Sequence, residues 1–129
     1  MSRAYFDSSA ILKLSKQEPE SLALVDYLQD SATEVSTSVL GEVEVTRNLR
    51  KHRLDDEHAI TGFYLIPVDA DVCRRAREMG GPLLRSLDAV HIATALAIND
   101  RELQFVTYDE RQAEAARAAG LKVIQPGRK

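Results

Sequence analysis

The 129-residue chain has one cysteine, no long apolar run and no excess of positive charge. A single cysteine, Cys73, cannot form an internal disulfide or, alone, a thiolate zinc site. Asp, Arg or Lys interrupts every apolar run well before bilayer-spanning length, and the first nine residues, MSRAYFDSS, lack the apolar core of a signal peptide. We therefore expect a cytoplasmic protein that does not enter a membrane.

The charge balance limits how the chain meets nucleic acid. A net charge of −3 and a pI near 5.6 argue against a protein that coats nucleic acid through bulk charge. An enzyme acting on nucleic acid stays possible, because such an enzyme needs only local contacts.

The remaining composition is that of an ordinary globular protein, with 44% hydrophobic and 29% charged residues. The length fits one domain over residues 1–129. Short β-like runs alternate with helical runs, which predicts an α/β domain with a central parallel sheet of about five strands flanked by helices. The predicted strands are 3–6, 34–38, 64–68, 104–108 and 121–125. The predicted helices are 8–17, 19–29, 39–52, 55–63, 69–79, a helix capped by Ser86, and 110–119.

The segment LRSLDAVHIATAL, residues 84–96, places one carboxylate inside an apolar helix. Leu87, Val90 and Ala93 begin one apolar face, and Ile92 and Ala95 lie on a second, so the helix should be central and buried. With Ser86 as N-cap, Asp88 falls in the first turn, where a carboxylate interacts well with free N–H groups. Asp88 therefore has a structural explanation as well as a chemical one.

Other acids follow predicted strands. Asp7 comes directly after the first strand, Asp109 follows the fourth, and Glu42 and Glu44 lie in the first two turns of the helix after the second. The carboxyl ends of parallel strands meet at one edge of a sheet, where function gathers. The sequence leaves two alternatives: separate helix caps, or one acidic pocket.

An acidic pocket needs a cation, because neighbouring carboxylates raise one another's pKa values. Oxygen ligands without a cysteine cluster or paired histidines indicate Mg²⁺, or Mn²⁺, rather than zinc. The matching substrate is a phosphodiester, since the metal neutralises the phosphate and activates a water for attack. No covalent protein nucleophile is required.

Four segments match a known family in order: YFDSSAILKL, TSVLGEVEVTRNL, LRSLDAVHIATAL and FVTYDERQAEAARAAGLKVIQPG. On these segments the chain resembles the PIN-domain family and, within it, the VapC-type ribonuclease toxins of toxin–antitoxin pairs. The resemblance implies a PIN-like α/β/α fold and a Mg²⁺-dependent endoribonuclease. It also implies that the catalytic, metal-binding acids are Asp7, Glu44, Asp88 and Asp109.

The family pattern selects Glu44 over Glu42, because it places the acid six residues after a serine, here Ser38, and three before an arginine, here Arg47. Glu42 stays the alternative. The fourth acid is the family's most variable, so Asp109 has tuning of the site as an alternative role.

Further residues are expected to support the acids or the substrate. Thr107 would orient its loop by hydrogen bonding, and Ser8 would contact the phosphate or metal-bound water. Arg47, Arg50 and Arg85 are candidates for RNA phosphates, with pairing to Asp88 as the alternative for Arg85 in the absence of metal. His91 is predicted to be a packed or hydrogen-bonded structural residue rather than a general base.

The resemblance also implies partners, namely a VapB-type antitoxin whose C-terminal segment lies over the acidic pocket, and a second copy in a homodimer. Two other functions stay open. One is an aspartate-based phosphatase, although FDSSA lacks the second aspartate that a haloacid-dehalogenase-like site needs. The other is a catalytically silent PIN-like module that binds RNA or a partner. The sequence does not predict which RNA is cut.

Overall fold

Strands and helices alternate along the chain. The computed structural model describes residues 2–31, 33–81 and 83–128. Its strands are β1 (Arg3–Phe6), β2 (Glu34–Ser38), β3 (Phe63–Ile66), β4 (Gln104–Val106) and β5 (Lys122–Ile124). Its helices are α1 (Ser8–Ser15), α2 (Ser21–Ser31), α3 (Val39–Lys51), α4 (Ala70–Glu78), α5 (Ser86–Ala97) and α6 (Glu110–Ala118).

The five strands form one parallel sheet in the order β3-β2-β1-β4-β5. The first strand is therefore the central one, and Tyr5 pairs with Ser36 on one side and Phe105 on the other. This confirms the predicted α/β/α architecture. It also brings the ends of β1, β2 and β4 side by side at one edge.

Side-chain alternation along β1 divides the core into two layers. Ala4 and Phe6 face one side, where they pack with apolar residues of α1, α2 and α3. Tyr5 faces the other side with Phe105 and packs with residues of α5 and α6. Both sheet faces are covered, as expected for a parallel sheet.

The predicted helix over residues 55–63 is wrong. This segment forms successive turns, in which the N–H groups of Ala59, Thr61 and Phe63 each donate to the carbonyl three residues before. Gly62, with φ of 89°, ends the segment in a conformation that only glycine adopts readily. The β-branched residues and this glycine disfavour a continuous helix.

Two helix starts also differ from prediction. The N-cap of α5 is Arg85, without a side-chain capping bond, rather than Ser86. Leu87 therefore lies in an exposed first turn and is 48% exposed, although the apolar pattern placed it on a buried face. Helix α2 begins at Ser21 rather than Pro19, after a turn closed by the Ser21 N–H and the Glu18 carbonyl.

In the three described ranges no helix combines the length and apolarity needed to cross a membrane.

Candidate active site

Asp7 is fixed at the carboxyl end of β1. It caps α1, because its Oδ1 accepts from the Ala10 N–H at 3.0 Å and from the Ser9 hydroxyl at 2.6 Å. Its Oδ2 accepts from the Thr107 hydroxyl at the end of β4. Burial raises the pKa of Asp7, while the bonds from Ser9 and Thr107 act in the opposite direction. Asp7 is therefore a cap and a buried acid at once, and Thr107 orients it by hydrogen bonding.

Asp109 and Asp88 share one cation, Arg85. Asp109 caps α6 through its Oδ1, which accepts from the N–H groups of Arg111 and Gln112. Its Oδ2 lies 3.5 Å from Arg85 Nη2, and Asp88 Oδ2 lies 3.4 Å from Arg85 Nε. Burial raises the pKa of Asp88; Arg85 opposes this increase, and the charge of Asp109 adds to it. The structure shows the pairing with Asp88 that was the alternative for Arg85 in the absence of metal.

Glu44 reaches the same place from the second turn of α3, whose start is fixed by Ser38, the predicted cap. Glu44 Oε1 lies 2.6 Å from His91 Nε2 on α5. His91 Nδ1 lies 2.7 Å from the Tyr5 hydroxyl, and both aromatic side chains are buried. His91 is thus hydrogen-bonded inside the protein, as predicted.

These side chains surround a cavity of about 250 Å³ at the carboxyl edge of the sheet. The lining residues are Asp7, Ser8, Ser9, Glu44, Arg85, Ser86, Leu87, Asp88, His91 and Asp109. All four predicted acids are present, with Ser8 and Arg85. Glu42 is not among the lining residues, and Arg47 is exposed on α3 outside the cavity. Thr107 lies behind Asp7 rather than in the wall.

Sequence reasoning missed two contributions. Ser9 links the first and last site segments, since its hydroxyl donates to Asp7 and accepts from the Tyr108 N–H at 2.9 Å. Its position two residues after a capping aspartate is a weak local signal. The bond from His91 to Glu44 joins positions 47 residues apart, and no local pattern predicts it.

A cation fits the chemistry of this cavity, because four carboxylates line it and their oxygens are suitable ligands for a hard divalent ion. Within the described part of the chain, however, no three His, Cys, Asp or Glu side chains converge as a metal site. Asp88 and Asp109 are turned to Arg85, and Asp7 to its hydroxyl donors. Arg85 supplies beside Asp88 and Asp109 the positive charge that a metal ion would supply, so a bound ion would replace this pairing.

Comparison with known sequences decides the family, because the sequence model of the PIN domain matches residues 4–118. The chain belongs to the PIN-domain family. Ribonuclease VapC46 of Mycobacterium tuberculosis is 39% identical over 98% of this chain and 99% of its own length. Ribonuclease VapC35 of the same species is also 39% identical, over 95% of this PIN-domain chain and 96% of its own.

Solved structures show the same fold. The chain superposes on the VapBC2 complex of Rickettsia felis, bound to promoter DNA, with a TM-score of 0.72 at 12% identity, covering 96% of this chain and 98% of that one. Mycobacterium tuberculosis VapC20, described as a toxin that cleaves the sarcin-ricin loop, gives 0.71 at 18% identity over 95% and 99%. At such low sequence identities, these superpositions support the PIN fold alone.

Proposed function

We propose that this PIN-domain protein is a divalent-metal-dependent endoribonuclease that hydrolyses RNA phosphodiester bonds. The observation that carries the proposal is the gathering of Asp7, Glu44, Asp88 and Asp109, from four separate segments, around one cavity. The full-length similarity to proteins named ribonucleases supports RNA as the substrate. The four acids are the proposed catalytic residues.

These acids would hold Mg²⁺, or Mn²⁺ in its place. When bound, such an ion neutralises the scissile phosphate and makes a water nucleophilic near neutral pH. The environment of Asp88 supports this role, because burial and Asp109 disfavour its negative charge in the absence of a second cation. Ser9 and Thr107 hold Asp7 towards the cavity.

Basic and hydroxyl side chains would bind the RNA. Arg85 has a 65% exposed side chain, so its guanidinium can turn from the acids to a phosphate, which it matches with two parallel hydrogen bonds. Ser8 lies in the cavity wall and offers a hydroxyl to the same phosphate. Arg47, exposed outside the cavity, would contact a phosphate farther along the strand.

The biological role that follows is that of a cytoplasmic toxin neutralised by a VapB-type antitoxin. The names of the VapC relatives support it, and the VapBC2 complex shows a protein of the same fold together with its antitoxin. A homodimer is the proposed assembly. Inducible expression in a bacterial host tests this role: growth should stop on induction and resume when the gene of the cognate antitoxin is co-expressed.

Two alternative functions have less support. A catalytically silent module that binds RNA or a partner needs no convergence of four acids, although the ion pairs of Arg85 suit a site at rest. A phosphatase that forms an aspartyl intermediate would use Asp7, but both oxygens of Asp7 already accept hydrogen bonds from hydroxyl groups.

The test is cleavage of total cellular RNA by the purified full chain, with Mg²⁺, with Mn²⁺ and with chelator. Asp88→Asn is compared with Asp26→Asn, a matched control at an exposed position of α2. We expect metal-dependent cutting by wild type and Asp26→Asn, and a loss of about a hundredfold or more in Asp88→Asn, because charge stabilisation of the transition state is lost. If wild type and both variants show the same RNA cleavage in every condition, and calorimetry detects no metal binding, the result would favour the binding module.

A second pair of variants tests the choice between two acids. Glu44→Gln should abolish cutting, while Glu42→Gln, on the same helix but outside the cavity wall, should cut like wild type. The opposite result would transfer the catalytic role to Glu42.

A further inference from the structure

A buried chain of hydrogen bonds leads from the central strand to Glu44. The Tyr5 hydroxyl contacts His91 Nδ1 at 2.7 Å, and His91 Nε2 contacts Glu44 Oε1 at 2.6 Å. Tyr5 is 0% and His91 1% exposed, so the bond between them is shielded from solvent, whereas the bond to Glu44 is part-buried at the cavity. These hydrogen bonds connect β1, which Asp7 directly follows, with α5 and α3, which carry Asp88 and Glu44.

Ring packing keeps the first two members in place. The Tyr5 ring stacks on Phe105 with centroids 5.5 Å apart and an interplanar angle of 11°. The imidazole of His91 meets the Tyr5 ring edge-on, at 5.8 Å and 66°. Buried rings cannot move without disturbing the core, so the packed Tyr5 ring also fixes the position of the His91 imidazole.

The bonding partners select one arrangement of hydrogens on His91. The Tyr5 hydroxyl lies 2.7 Å from Nδ1 and has a hydrogen that it can donate to this nitrogen. A neutral imidazole that accepts at Nδ1 carries its hydrogen on Nε2, and this hydrogen then points at Glu44. The other tautomer would direct the Nε2 lone pair at a carboxylate oxygen 2.6 Å away.

We propose that Tyr5 and His91 are positioning residues that hold Glu44 in the acidic cavity. The inference rests on the proposed function in one respect, that Glu44 is an acid of the cation site. It also explains why Glu44 rather than Glu42 serves there: Glu44 lines the cavity and receives the Nε2–H of His91. Partners of this kind orient the groups that contact a metal.

The first test needs neither metal nor RNA. Nitrogen NMR of the full chain, at mildly alkaline pH and in the absence of metal, reads which nitrogen of His91 carries hydrogen. We expect Nε2 to be protonated and hydrogen-bonded. A spectrum in which Nε2 lacks hydrogen would overturn the inference, whether or not the chain cuts RNA.

The second test measures Mn²⁺ affinity by calorimetry. His91→Leu removes the donor to Glu44, and we expect binding to weaken by about ten- to a hundredfold, the range for outer partners of metal ligands. His91→Gln places an amide donor near the position of Nε2 and should recover most of this loss. Thr94→Val is the matched control, since it removes a buried hydroxyl of α5 that, among the described residues, bonds only the helical carbonyl of Val90. The Mn²⁺ affinity of this variant should equal that of wild type.

Tyr5→Phe tests whether the tyrosine acts through the histidine. It should weaken Mn²⁺ binding less than His91→Leu does, and the double variant should match His91→Leu alone, because Tyr5 has no other route to Glu44 in this scheme. Additive losses, or equal affinities for His91→Leu and His91→Gln, would overturn the inference. If wild type binds no Mn²⁺ and cuts no RNA, the proposed function fails, and the NMR result still decides the arrangement of Tyr5, His91 and Glu44.

Discussion

At the residue scale, the site holds charged side chains whose burial lowers the stability of the folded protein. The pKa of Asp88 is raised by burial and by Asp109, against the favourable effect of Arg85. A carboxyl group whose pKa is raised on folding reduces stability when it is ionised, and this reduction disappears as the pH falls through the raised pKa. In the metal-free protein at neutral pH, Asp88 therefore opposes folding.

Asp88→Asn should accordingly raise the free energy of unfolding of the metal-free chain at neutral pH. The gain should shrink as the pH falls, since the wild-type carboxyl group then becomes neutral too. Urea unfolding across a pH series measures both effects. A variant less stable than wild type at neutral pH would show that the ion pair with Arg85 outweighs burial.

Ser9 is the second residue at which a substitution is informative. Ser9→Ala removes the 2.6 Å bond to Asp7 and leaves the Tyr108 N–H without its acceptor. We expect a loss of about 1.5–3 kcal/mol in the free energy of unfolding, the range for hydrogen bonds to charged groups. The pKa of Asp7 should rise further, because the bond from Ser9 lowers it in wild type.

Chemical denaturation of Ser9→Ala beside Ser15→Ala measures this loss. Within the part of the chain that the structure describes, the Ser15 hydroxyl donates only to the helical carbonyl of Ile11, so its removal should cost much less. Equal losses would mean that Asp7 does not depend on Ser9.

At the element scale, the first turn of α3 sits very close to β2. A Cβ at Gly41 would lie 2.2 Å from the Thr37 hydroxyl oxygen, which donates to the Phe6 carbonyl at 2.8 Å. This close approach sets the position of the helix that carries Glu44. Glycine is required here for space rather than for backbone conformation.

Gly41→Ala should therefore destabilise the protein by about 1–3 kcal/mol, the usual cost of overpacking, although alanine is the better helix former. Thr37→Ala removes the clashing hydroxyl, so the double variant should lose less than the sum of the single variants. The measurement is a double-mutant cycle on the free energy of unfolding. Additive losses would show that α3 shifts freely on the sheet.

Local signals predicted some elements well and others poorly. Strands β1 and β2 and the Ser38 cap match the structure because a short β-like run followed by a capping residue is a sufficient local signal. The helix predicted over 55–63 is wrong because this segment closes successive turns. The start of α5 differs because its N-cap is Arg85, whose guanidinium pairs with Asp88 and, from another segment, with Asp109. The placement of Glu44 against His91 depends on packing that no single segment encodes.

At the scale of the whole molecule, a cluster of charged side chains connects the C-terminal segment to the start of the fold, near the site. Glu20, before α2, accepts from Lys13 at 2.8 Å and from Arg128 near the C-terminus at 3.2 Å. Both cations also lie over the ring of Tyr108, at 5.4 and 5.3 Å from its centroid. Lys13 and Arg128 thus connect α1, the C-terminal segment and the loop that carries Asp109.

The Lys13 bond lowers the pKa of Glu20 from 4.5 to about 2, with Arg128 contributing. The stability that this pairing provides is present above pH 4.5 and is lost as the pH falls towards about 2. Glu20→Gln should therefore lower the melting temperature at neutral pH, and the two melting curves should converge in acid. A difference that is constant across the pH range would assign the effect to packing rather than charge.

The order of strands in the sheet has a consequence for how the protein is made. The central strand, β1, leaves the ribosome first, but one neighbour is β4, and Asp7 receives its bond from Thr107 across 100 residues. An unfinished chain therefore cannot assemble the four acids, and pairings over such distances form late and slowly. A polypeptide released before residue 109 lacks one of the four acids of the cavity, so the nuclease activity proposed here requires that synthesis has passed this residue.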